Sequence, residues 1–155
     1  MQNPVFNPHD LDNQSVTALS KELEVFKKDI DTYLNVRGAS EMSYTQLANI
    51  HIERLGYNKV VFCNKTLLSK KEYYLIKNNS PKATPRIETV MCICIGLELG
   101  PDLGSDLLKA AGYILTNSKQ HIAYRLLLST CSGKSIYECN EILEKCGLKP
   151  LKKNE

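Results

Sequence analysis

The chain has no apolar run approaching the ~18 residues that a membrane-spanning helix needs, so no membrane partner is expected. Its opening residues, Met1, Gln2, Asn3 and Pro4, do not form a basic start leading into an apolar stretch, and a secretory signal is not expected either. A cytoplasmic protein is the reading that follows. The six cysteines (Cys63, Cys92, Cys94, Cys131, Cys139 and Cys146) include no CxxC pair, which argues against a zinc site. Without an export signal they also make a poor disulfide framework, and reduced thiols within apolar helical patterns are expected. Cys92 and Cys94 stand two apart, which on a helix turns them ~200° from each other, too far to grip one metal.

Catalytic machinery is scarce as well. The histidines, His9, His51 and His121, are not arranged with a Cys or Ser and a carboxylate in any recognisable motif. No glycine-rich phosphate loop occurs, since Gly100 and Gly104 fit a helix boundary better than a nucleotide cradle. Neither an enzyme nor a bound cofactor is expected. No segment alternates as a strand does and no internal repeat is evident, which leaves helices.

What is present begins with charge. Residues 58 to 86 carry seven basic side chains (Lys59, Lys65, Lys70, Lys71, Lys77, Lys82 and Arg86) and one acidic one, Glu72. That is a local balance of +6 in a chain of net charge +3, so the remainder is −3. A basic block in an otherwise acidic protein suits a polyanionic partner, and a solvated lysine-rich face is the plainer alternative.

The periodicity divides the chain into helices. Residues 1 to 15, with prolines at 4 and 8, read as a loose tail. Leu19, Leu23, Phe26, Ile30, Tyr33 and Leu34 then recur at three- and four-residue steps, giving an amphipathic helix of about five turns that needs a cover, the main body or a second copy. Ser43 and Gln46 have the spacing of a capping box and open a helix through Tyr44, Leu47, Ala48, Ile52 and Leu55, ended by Gly56. His51 lies in the middle of that apolar face and reads as a core or rim histidine, because no Cys, Asp or second His stands four residues away.

Asn58 caps a short helix through about Lys65, and Ser69 with Glu72 makes a second capping box opening a helix to about Asn78. Only Thr66, Leu67 and Leu68 remain for the turn between them, as two helices in a helix-turn-helix require. Thr84 and Pro85 supply an N-cap and a first-turn proline for a helix with Ile87, Val90, Met91, Ile93, Cys94 and Leu97, apolar on most sides and so the core element. Three more helices follow: about Pro101 to Ala111; about Ser118 to Ser129, with Ile122, Leu126, Leu127 and Leu128 buried; and one led by the Ser135–Glu138 capping box, with Ile136, Cys139, Leu143 and Cys146 inward.

Over roughly residues 44 to 112 this order resembles the lambda-repressor-like, or XRE-type, helix-turn-helix family. Its turn-and-recognition segment, L-S-x-x-x-hydrophobic-x-x-I-x-N, is matched by Leu68, Ser69, Tyr73, Ile76 and Asn78, and its P-x-I-x-T-hydrophobic signature by Pro85, Ile87, Glu88, Thr89 and Val90. The stretch from Leu107 to Leu151, with K-A-A-G-Y, C-N-E-I-L and G-L-K-P-L, looks like a C-terminal helical extension of some clostridial members. The resemblance implies an all-α helix-turn-helix bundle with an N-terminal amphipathic helix and two additional C-terminal helices. Residues 1–40 would be tail plus amphipathic helix, 41–115 the helix-turn-helix domain, and 116–155 the extension packed on it.

It further implies a transcriptional regulator that binds double-stranded DNA as a homodimer, with the helix from Ser69 to Asn78 as recognition helix. Lys59 is then aimed at a phosphate, Lys70, Lys71, Glu72 and Tyr74 face base edges and backbone, and Ser69, Lys77 and Lys82 complete the contact surface. Lysine donates to the acceptors of guanine, and a helix N-terminus favours a phosphate oxygen. The sequence departs from the pattern at Leu67, where the turn usually has glycine and leucine suggests an altered turn, and at Asn79, where glycine commonly ends the recognition helix and asparagine is its best substitute. Val60, Val61 and Leu75 occupy positions the family leaves polar; an apolar patch there suits a protein partner better than DNA, and the plainer alternative is that the long N-terminal helix covers them. The alternative function is therefore a helix-turn-helix-derived interaction adaptor without DNA binding.

Overall fold

The computed structural model describes residues 13–37, 42–80, 84–130 and 133–152. Among the described residues it is all-helical: α1 (Asn13–Arg37), α2 (Tyr44–Leu55), α3 (Lys59–Thr66), α4 (Lys70–Lys77), α5 (Ile87–Gly96), α6 (Gly100–Ala110), α7 (Lys119–Thr130) and α8 (Ile136–Lys145), with no strand. No helix among them is long and apolar enough to cross a membrane. The chain separates into two units, residues 1–40 and 41–155.

The first unit contributes α1. Its helix begins at Asn13, so residues 13–15 are helical rather than part of a tail; the expected tail at 1–12 lies outside the described residues. Its apolar residues Leu19, Leu23, Phe26, Ile30 and Leu34 are exposed.

The second unit is organised around α5. Val90, Met91, Cys92, Ile93, Cys94, Ile95 and Leu97 are all buried, as a helix apolar on most sides requires. Around it pack α3, α6, α7 and α8, while α2 lies against α4 and α6. Ser43 caps α2 and Ser135 caps α8, each with both halves of the capping box in place. Gly56 closes α2 in the left-handed conformation at φ 67°.

Several sequence expectations are corrected. The Ser69 hydroxyl accepts from the Glu72 backbone N–H, one half of the expected box. Thr84 and Pro85 precede α5, whose N-cap is Arg86, because the Tyr113 hydroxyl donates to the Pro85 carbonyl at 2.6 Å and holds it as a tertiary anchor outside the helix. Gly104 sits inside α6, where its missing Cβ admits the Leu128 side chain, so it marks helix packing and not a boundary. On α7 the buried face is Tyr124, Leu127 and Leu128, leaving Ile122 and Leu126 exposed. Cys146 is the exposed C-cap of α8, one turn beyond the inward stripe.

Candidate nucleic-acid interface

The basic block is carried on α3, α4 and the three residues between them. α3 is fixed from below by Phe62 and Thr66, both fully buried, and from its N-terminus by Asn58, whose side chain accepts from the Val61 N–H at 2.9 Å. α4 is fixed by Ile76, 1% exposed, and by Tyr73, whose ring lies 5.5 Å from that of Phe62. With one side of each helix held this way, the other side of α4 is presented outward. Lys70, Lys71 and Tyr74 are exposed.

The turn is Leu67, Leu68 and Ser69, one residue later than expected, because α3 extends through Thr66. The buried Thr66 hydroxyl shapes it, donating to the Phe62 carbonyl at 2.7 Å and accepting from the Leu68 N–H at 3.2 Å. Leu67 adopts the left-handed conformation at φ 57°, ψ 19°, the region glycine favours, so the turn is not altered as leucine there suggests but keeps the backbone path a glycine would give it. Lys152, near the chain's C-terminus, donates to the Leu67 carbonyl. After α4, Asn79 is also left-handed, at φ 47°, and its side-chain oxygen accepts from the hydroxyls of Ser43 and Thr45 at the start of α2.

The expected contact residues divide into two groups. Lys70, Lys71, Ser69 and Tyr74 are exposed along α4 and its N-cap. Lys59 is half-buried; its ammonium donates to the Tyr74 hydroxyl at 3.1 Å and lies 5.4 Å from the centre of that ring. Lys77 pairs with Glu53 of α2 at 3.4 Å. Glu72 is half-buried, and its carboxylate, after burial itself, raises the pKa of the Tyr44 phenol on α2. Lys82 lies outside the described residues. Val60 is 60% exposed, whereas Val61 and Leu75 are half-buried.

The sequence reading missed links between distant residues. The Ser43, Thr45 and Asn79 linkage joins residues more than thirty apart, and Lys152 reaches Leu67 from the far end of the chain. Only the oddity of leucine in a glycine position pointed toward Leu67, and nothing local pointed to its partner.

No group of His, Cys, Asp and Glu able to hold a metal occurs among the described residues. Cys92 and Cys94 are buried in α5, and burial pushes the Cys92 thiol up to about 12, far from a reactive thiolate. No protein-family model matches the chain, and no curated protein or solved structure matches it either.

Proposed function

We propose that this chain is a DNA-binding transcriptional regulator of the lambda-repressor-like helix-turn-helix kind, working as a dimer in the cytoplasm with α4 as its recognition helix. The observation that carries the reading is the pair Lys70 and Lys71, exposed in the first turn of a helix whose opposite side is anchored by Ile76 and Tyr73. A helix so held enters a major groove as a rigid rod, its N-terminal dipole and two ammonium groups meeting phosphate and base edge together. Lys59, stacked against Tyr74, adds a positioned charge beside them. The absence of Arg and Gln from α4 fits weak base discrimination.

Duplex affinity is expected to fall steeply with salt, and replacing Lys70 and Lys71 by Ala should flatten the log–log salt slope by about 2. Selection from a random duplex pool at two salt concentrations supplies the ligand. A slope unchanged in the double variant would remove α4 as the reader.

One observation favours the second reading, a protein-interaction adaptor: Val60 is largely exposed on α3 beside the same surface. A stoichiometric protein partner lost on V60D, with no duplex retained by the wild-type chain, would replace the first reading with this one.

A further inference from the structure

α1 is a 25-residue helix that leaves large apolar side chains wet: Leu19, Leu23, Phe26, Ile30 and Leu34 are between 44% and 66% exposed. Six of its apolar positions, Val16, Leu19, Leu23, Phe26, Ile30 and Tyr33, alternate steps of three and four without interruption, with Val25 lying off this series. That is a mean step of about 3.5 residues, the heptad repeat, which keeps a seam facing one partner along a left-handed supercoil. In heptad terms Val16, Leu23 and Ile30 are at a, and Leu19, Phe26 and Tyr33 at d. Two β-branched residues at a suit a two-stranded coil. Leu34, at e, widens the seam near its end.

We propose that α1 pairs with α1 of a second copy of this chain as a parallel, two-stranded coiled coil. The charges flanking the seam decide both partner and direction. Glu22 occupies a g position and Lys27 the following e position. In a parallel pair the g residue of one helix faces the next e residue of the other, so Glu22 meets the second copy's Lys27, and two-fold symmetry makes the contact twice. An antiparallel pair that keeps every apolar layer sets Leu23 opposite Phe26, and then places Glu22 opposite Asp29, also twice. Like charges face each other there, and Lys27 is left opposite Ser20. The remaining charged residues of this stretch, Lys21, Glu24, Lys28 and Asp31, occupy the outer b and f positions and take no part in the choice. The sequence is thus complementary to itself in one orientation only.

Pairing through α1 needs no DNA, so the full chain is examined without it, by sedimentation equilibrium over a concentration series. The wild-type chain is expected to be dimeric. E22K and K27E should each raise the dimer dissociation constant about tenfold, since attraction becomes repulsion at both symmetric contacts. An equimolar mixture of the two variants should recover wild-type affinity as a heterodimer, because opposite charges again face across the seam. L23D should be monomeric, with a circular-dichroism melt showing that the 41–155 unit still folds. A monomeric wild-type chain, a dimer indifferent to L23D, or an E22K chain that dimerises more tightly overturns the proposal, the last by revealing the antiparallel pair. None of these outcomes bears on whether α4 binds a duplex.

Discussion

Arg54 and His51 stand one turn apart on α2, and the guanidinium donates to His51 Nδ1 from 3.3 to 3.4 Å. A ring nitrogen that accepts cannot carry a proton, so the neutral ring holds its hydrogen on Nε2. Burial first, and the Arg54 charge second, lower the His51 pKa from 6.5 to about 4. The unfolded chain therefore binds a proton that the folded chain refuses throughout that window. Stability from this site is complete above pH 6.5 and is lost as pH falls toward 4, by at most about 3 kcal/mol. Urea unfolding at neutral pH and near pH 4.5 measures the loss. H51L, which has nothing to protonate, should lose less stability over the same interval. Equal losses in the two proteins would show that other groups carry the acid sensitivity.

At the scale of elements, the approach of α3 to α5 sets where the turn lies. A Cβ added at Gly96 would sit 2.6 Å from Thr66 Cγ2 and 2.8 Å from the Lys65 carbonyl oxygen, at the last turn of α3. Backbone cannot step aside as a side-chain tip can, so G96A must push the two helices apart beside Leu67. At Gly104 the nearest atom is Leu128 Cδ2 at 3.0 Å, the far end of a flexible side chain. G96A is expected to destabilise by about 1–3 kcal/mol and G104A by distinctly less, read from thermal melts of both. Melts shifted equally would mean that α3 is free to move.

The same contrast explains what could be read from the residues beforehand. Helix starts at Ser43 and Ser135 were legible because a capping box is complete within four residues. The all-apolar run of α5 announced the centre of the core, but the alternation of Tyr73 and Ile76 with Lys70, Lys71, Glu72, Tyr74 and Lys77 gives the open side of α4 only in part, since Glu72 and Lys77 are half-buried and Lys77 pairs with Glu53 of α2. On α7 the periodicity misled, because Ile122 and Leu126 make one apolar face and Tyr124, Leu127 and Leu128 another, and only packing selects between them. The links from Lys59 to Tyr74 and from Lys77 to Glu53 were hidden for a related reason: each joins separate helices, and spacing along one helix carries no record of its neighbour.

At the scale of the 41–155 unit, the segment after α8 ties α7, α8 and the α3–α4 turn into one body. Asn140 grips it with both ends of its amide, donating to the Lys152 carbonyl at 2.9 Å and accepting from the Leu151 N–H at 2.7 Å, while Leu151 itself is buried. Gln120 on α7 repeats the device on Lys149, accepting from its N–H at 3.2 Å and donating to its carbonyl at 3.0 Å. Lys152, held by Asn140, donates in turn to the Leu67 carbonyl. The C-terminal segment is thus a strap whose last contact is the turn that presents α4. N140A leaves two backbone groups unpaired, one beside a buried leucine, and should cost about 2 kcal/mol in urea unfolding. Because the strap and the turn share Lys152, the same variant should speed hydrogen exchange at the Leu68 amide more than at the Ile52 amide inside α2. Exchange accelerated equally at both would mean that the strap supports the unit as a whole and not the turn, and exchange unchanged at both would mean that it supports neither.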